Sequence, residues 1–127
     1  MAFIATVTIV VPDYDEAIAY YTAVCGFVVQ ADRTLDAHKR WVVIGPADGR
    51  GCQILLAKAS TPAQVAHIGN QTGGRVAFFL QSDNFASDYA RMHTLGVEFV
   101  ETPRHETYGS VVKWRDAYGN LWDLLGT

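Results

Sequence analysis

The chain is short of several things that would give its chemistry away. Among its 127 residues there is no basic run of five or more, and the formal charge is only -3. The electrostatic footprint that nucleic acid or an acidic membrane surface requires is therefore missing. The apolar opening from Met1 has no basic n-region and stops at Pro12-Asp13, far short of a membrane span. Cys25 and Cys52 form no Cys-x-x-Cys pair, and in a chain without a secretion signal they read as reduced, buried, small hydrophobes. This composition predicts a cytoplasmic protein. His38, His67, His93 and His105 show neither His-x-His nor His-x-x-x-His spacing, and His67 and His93 fall on predicted helices. No Gly-x-Ser-x-Gly is present and Cys25 has no recognisable partner base, so nucleophilic catalysis has no support. The glycine-rich stretch 69–74 precedes a strand and lacks a following Lys, which makes it a hinge and not a phosphate cradle.

What the chain does have is apolar residues, half of the total, against 18% charged. At this length that builds one soluble domain around one core. It also repeats itself. Asp13 and Asp83, Gly26 and Gly96, Gly49 and Gly119, and Gln53 and Asp123 are each separated by 70 positions. Both halves read strand, helix, then three strands. Residues 5–11 feed a helix over 13–25, and residues 76–80 feed one over 83–95. Each helix opens on an aspartate able to cap it and closes on a glycine. Tyr14, Ile18, Tyr21 and Cys25 form an apolar stripe on the first, as do Phe85, Tyr89 and Met92 on the second. Strands are expected at 27–31, 40–44 and 52–57, then at 97–101, 108–115 and 121–125. Ser60-Thr-Pro-Ala-Gln64 starts a short capped linking helix. The expected organisation is one domain, 1–127, of two modules at about 1–60 and 73–127 with a linker at 61–72.

The stretch Asp116-Ala-Tyr-Gly-Asn-Leu-Trp-Asp123 forms a turn followed by an alternating strand. Together with Val10-Val-Pro-Asp-Tyr-Asp-Glu-Ala-Ile-Ala-Tyr-Tyr21 and Cys25-Gly-Phe27, it resembles the vicinal-oxygen-chelate superfamily of glyoxalases, extradiol dioxygenases and bleomycin-resistance proteins. The likeness covers essentially the whole chain and is greatest to the small two-module members. It implies an α+β fold in which two βαβββ modules in tandem form a curved, open-barrel mixed sheet around a concave cavity. It also implies a homodimer, with a small organic molecule as the partner.

In the metal-dependent members a divalent ion is held by residues on four strands. The matching positions here are Thr6, Gln53, either Arg75 or Ala77, and Asp123. That set has no histidine and one carboxylate, so it suits Zn²⁺, Ni²⁺ or Fe²⁺ poorly. If Arg75 is the inward residue, its charge would pair with Asp123 where the family keeps its ion. Trp41 and Val43 share one strand face, and Tyr108, Ser110, Val112 and Trp114 share another; either set is wall or core. Aromatic walls beside an arginine and an amide suit planar or partly charged organic ligands.

The expected ligand-binding residues are therefore Thr6, Gln53, Arg75, Asp123, Tyr108, Trp41 and Trp114. The expected function is a binding or sequestering protein of the glyoxalase/bleomycin-resistance type, with no cofactor and no tightly bound metal. The alternative is a metal-dependent glyoxalase-like lyase or isomerase, or a dioxygenase. That alternative needs a divalent metal at Gln53 and Asp123, with Glu106 and His105, from a loop over 102–109 able to cover a cavity mouth, as candidate catalytic groups.

Overall fold

The computed structural model of the chain describes residues 1–127. The chain folds as two compact units, Met1–Ile68 and Gly69–Thr127. In the first, β1 (Thr6–Val11), α1 (Tyr14–Cys25), β2 (Val28–Thr34), β3 (Arg40–Gly45) and β4 (Gln53–Lys58) are followed by the short α2 (Pro62–Ala66). In the second, β5 (Val76–Ser82) and α3 (Phe85–Thr94) precede β6 (Glu98–Phe99), β7 (Arg104–Glu106), β8 (Gly109–Arg115) and β9 (Leu121–Gly126). The strand orders are β1-β4-β3-β2 and β5-β9-β8-β6, with β7 also on β8, so each unit has an open sheet and neither closes into a barrel. This is the α+β, βαβββ-type architecture expected from the sequence. No helix is long and apolar enough to cross a membrane.

Each sheet is mixed because the helical crossover returns the chain parallel to its start. β1 runs parallel to β4, with Thr8 beside Leu55 and Val10 beside Ala57. β5 runs parallel to β9, with Phe79 beside Asp123. The remaining pairs are antiparallel, and all but β6–β8 are consecutive in the chain. One face of the first sheet carries Ile9, Val11, Val42, Ile44, Ile54 and Leu56, all buried, and α1 contributes Tyr14, Ala17, Tyr21 and Val24 to the same core. The helix thus buries positions i, i+3, i+7 and i+10. The expected stripe had Ile18 and Cys25 in place of Ala17 and Val24; both are only part-buried. In the second unit Trp114, Trp122, Val112 and Leu124 are buried with Phe85 and Met92 of α3. Removing one such side chain, Leu56→Ala for example, costs about 2–5 kcal/mol because the cavity left behind collapses only in part.

Several local expectations are corrected. Asp13 caps α1 through Glu16 N–H at 2.8 Å, but α3 is capped by Asn84, which accepts from Ser87 N–H at 3.1 Å. Asp83 stands one residue outside because β5 runs on to Ser82, whose hydroxyl takes the Asn84 N–H and donates to Asp88. β6 is two residues long, against the five expected at 97–101: Val100 N–H still reaches the Lys113 carbonyl, but the Lys113 N–H donates to Glu101 Oε1 and not to a backbone carbonyl. The stretch 102–109 is not an open loop. Arg104–Glu106 pair with Gly109–Val111 around a turn at Thr107 and Tyr108, which makes it a hairpin on the sheet edge. Cys52 is exposed, not buried, and both cysteines are free thiols.

The turn between β8 and β9 is a closed hydrogen-bond cluster. Asp116 is buried, and its two carboxylate oxygens accept from Tyr118 N–H, Asn120 N–H, Asn120 Nδ2 and Trp122 Nε1 at 2.9–3.0 Å. Four donors satisfy a carboxylate that would otherwise be costly to bury. Gly119 holds φ 109°, the one residue of the turn in the left-handed region. Gly69 lies against the same turn so closely that a Cβ there would come within 1.8 Å of the Tyr118 carbonyl oxygen. The conspicuous Asp116-to-Trp122 motif is thus a device for packing the second unit.

Candidate functional site

The face of the first sheet turned away from α1 carries Thr8 and Val10 of β1, Leu55 and Ala57 of β4, and Trp41 of β3. These residues floor a cavity of about 730 Å³. That is the size range of small-molecule sites. One wall is the β2–β3 hairpin loop, Leu35 to Lys39, and another is formed by Lys58, the last residue of β4, with Ser60 and Gln64 beyond it.

The loop is fixed by its own hydrogen bonds and by the residue that follows it. Leu35 N–H and Asp36 N–H donate to the Lys39 carbonyl, and His38 N–H donates to Asp36 Oδ1 at 2.7 Å. Arg40 then anchors the base. Its guanidinium meets Asp15 at 2.9 Å and Asp32 at 2.7 Å and lies over the Tyr14 ring, while its backbone N–H donates to Tyr14 Oη. The hydrogen bond from Arg40 holds the Asp32 carboxyl below the usual carboxylate range, against a smaller opposing effect of burial. On the opposite wall, Gln64 Oε1 accepts from Ser60 N–H and Oγ at 2.8 and 3.0 Å.

The residues expected to bind a ligand scatter around this cavity. Trp41, 38% exposed, lines it. Thr6 and Gln53 are register partners on the same sheet face but lie at the other end of their strands and are not among its lining residues. The Gln53 amide fills the space beside Gly45 and donates to the Gly49 carbonyl at 3.3 Å, leaving its buried Oε1 without a partner. Trp114 is fully buried and stacked 4.9 Å from Trp122, so it is a core ring and not a wall. Tyr108 sits at the β7–β8 turn, 66% exposed. Arg75 is exposed, one residue before β5, and makes no ion pair with Asp123; the residue beside Asp123 on that strand is Phe79. His105 Nδ1 lies 2.7 Å from Ser110 Oγ, while Glu106 is 3.7 Å from Arg104, so the two candidate catalytic groups serve different partners.

Asp123 has a distinctive setting of its own. Lys113 and Phe79 flank it on the adjacent strands, and its Oδ1 is buried without a hydrogen-bond partner. Burial pushes its carboxyl above the ordinary value; Lys113 and Arg104 oppose this and Glu101 adds to it. No three His, Cys, Asp or Glu side chains are gathered where they could hold a metal ion. A carboxylate with a lysine beside it, and with threonine, glutamine and arginine or alanine at the other family positions, does not fit the divalent ion of the metal-dependent enzymes.

The lining residues missed in the sequence are Leu35, His38, Lys39 and Lys58. Of these, Lys39 had a signal in the sequence, its place two residues before Trp41.

Comparison with known proteins agrees with this fold. A sequence model of the Glyoxalase/Bleomycin resistance protein/Dioxygenase superfamily matches residues 3–124. An uncharacterized protein of Shewanella frigidimarina (strain NCIMB 400) is 46% identical over 123 residues, 96% of this chain and 91% of that one. The crystal structure of UcmS2 is similar at a TM-score of 0.82 and 30% identity, covering 98% of both chains. TnmS3, an antibiotic binding protein from Streptomyces sp. CB03234, shares the fold at a TM-score of 0.77 and 23% identity, over 99% of this chain and 96% of that one.

Proposed function

Since the chain belongs to the glyoxalase/bleomycin resistance protein/dioxygenase superfamily, we propose that it binds and sequesters a small organic molecule without a tightly held metal. The observation that carries this reading is the 730 Å³ cavity with Trp41 on its wall. An exposed indole over an apolar floor of Val10, Leu55 and Ala57 offers a flat ligand a stacking surface and hydrophobic contact together. That TnmS3, with the same fold, is an antibiotic binding protein makes a binding role compatible with this architecture. No bond need be broken for the protein to act in this way.

The alternative, a metal-dependent lyase, isomerase or dioxygenase, has one observation on its side, the unpartnered buried Oδ1 of Asp123. A lone carboxylate without imidazole partners is a weak claim on a transition metal. Assembly as a homodimer belongs to the same proposal, supported by the exposed apolar side chains of Phe3, Ile4 and Phe79. A cytoplasmic location is likewise proposed, from the two free thiols.

The test is elemental metal analysis of protein purified without chelator or affinity metal, repeated after loading with Ni²⁺, Zn²⁺, Mn²⁺ and Fe²⁺ and removing the excess. Retention below roughly a tenth of an equivalent, together with thermal stabilisation by members of a small organic library, supports the binding role. Close to one equivalent per chain would transfer the case to the enzyme.

A further inference from the structure

The cavity is unlike the chain that forms it. The protein as a whole is acidic, at -3, yet the residues lining its cavity include Lys39, Arg40 and Lys58 against the single acid Asp36. Arg40 is already committed, since Asp15 and Asp32 hold its guanidinium. Asp36 is partly committed too, with Oδ1 accepting the His38 N–H. Lys39 and Lys58 take part in no ion pair, and both line the cavity, Lys39 at the end of the hairpin loop and Lys58 at the end of β4. Lys39, at the end of the hairpin loop, and Trp41, two residues on in β3, both line the cavity, so a cation and an indole share one site.

We propose that the molecule taken by this cavity is an aromatic acid, its ring against Trp41 and its anionic group, a carboxylate or an equivalent sulfonate or phosphate, held by Lys39 and Lys58. This rests on the binding role above and adds the chemical class of the ligand. The ammonium groups are on flexible stems and share the anion with solvent, so they select among ligands more than they add raw affinity. The apolar floor and Trp41 supply the contact that is indifferent to charge.

The experiment is calorimetric titration with 2-naphthoate and with its neutral, nearly isosteric amide, 2-naphthamide. In the native protein the acid binds about fivefold more tightly than the amide, the range of one or two partly exposed ion pairs. Raising the salt from 0.05 to 0.5 M narrows that gap by screening. The double variant Lys39→Gln/Lys58→Gln abolishes the preference, so that acid and amide bind alike, whereas Lys39→Arg/Lys58→Arg retains it. Both lysines are exposed, so neither pair of changes disturbs the core. Trp41→Ala weakens acid and amide alike. Equal binding of acid and amide to the native protein would overturn the assignment of an anionic ligand while leaving the binding role standing. Failure of both probes to bind, with ligands of other classes stabilising the protein, would also overturn it. Failure of every organic probe would overturn the binding role itself.

Discussion

The two units share a plan and spend it differently. Pro46 and Asp116 are 70 positions apart, and each carbonyl accepts the N–H of the glycine three residues on, Gly49 and Gly119. In the second unit the first residue of that turn is a buried aspartate gathering four donors; in the first it is a proline, and the loop continues through Gly51 to exposed Cys52. The same contrast holds on the open faces. The first sheet offers Leu55 and Trp41 under a hairpin loop that bounds a cavity, whereas at the 70-residue equivalents the second has Leu125 and Val111 beside part-buried Asp123. A repeated fold thus separates packing from recognition: one copy is tightened by polar groups turned inward, and the other is left open.

The largest effect that sharpens this contrast is on the tryptophans. Trp114→Ala empties a closed core beside Trp122 and is expected to cost about 3–5 kcal/mol, read as a drop in urea midpoint. Trp41→Ala removes a ring that is already 38% exposed, so its cost should be below about 1 kcal/mol, while ligand binding weakens. Similar stability losses in both would remove the distinction between wall and core.

Next comes the pair of turns. Asp116→Ala leaves Trp122 Nε1 and Asn120 Nδ2 buried without acceptors, for about 3 kcal/mol. Asp48→Ala removes an exposed carboxylate that accepts only locally, from Arg50 N–H at 3.0 Å, and should cost under about 0.5 kcal/mol. Thermal unfolding of the two variants decides it. Equal costs would mean that the first turn is as tightly held as the second.

These contrasts also measure how far the sequence could be read. Hydrophobic alternation and the 70-residue repeat were enough to recover both βαβββ units, because burial of one sheet face imposes the period directly. The same repeat contains the answer for Trp114. It is equivalent to Ile44, under the helix, while Trp41 is equivalent to Val111, on the other face. What local pattern does not give is capping shifted by one residue, as at Asn84, nor a hairpin whose strand residues Arg104, His105 and Glu106 are all exposed. Polar strands at an edge follow the pairing available from their neighbour, not their own composition. The cavity was beyond reach for a similar reason, since Leu35, Lys39 and Lys58 meet only in three dimensions.

The smallest effect concerns Asp123. Its carboxyl is raised above the unfolded value by burial, so the folded state binds a proton more readily than the unfolded chain does. The stability this provides is present below the unfolded pKa and is lost as the pH rises through the raised one. Asp123→Asn, which cannot ionise, should therefore be slightly more stable than the native protein at pH 7, with the difference shrinking toward pH 3. A difference that grows on acidification would assign Asp123 a stabilising ion pair, and with it a role closer to that of Asp116.

The central claim is that a small molecule enters the cavity of the first unit and meets Trp41. Following the three tryptophan indole N–H signals by ¹H–¹⁵N NMR, while adding compounds that raise the unfolding temperature, tests this most directly. The Trp41 signal is expected to shift saturably with each such compound, while those of Trp114 and Trp122 stay nearly still. Stabilising compounds that leave Trp41 unmoved would contradict it.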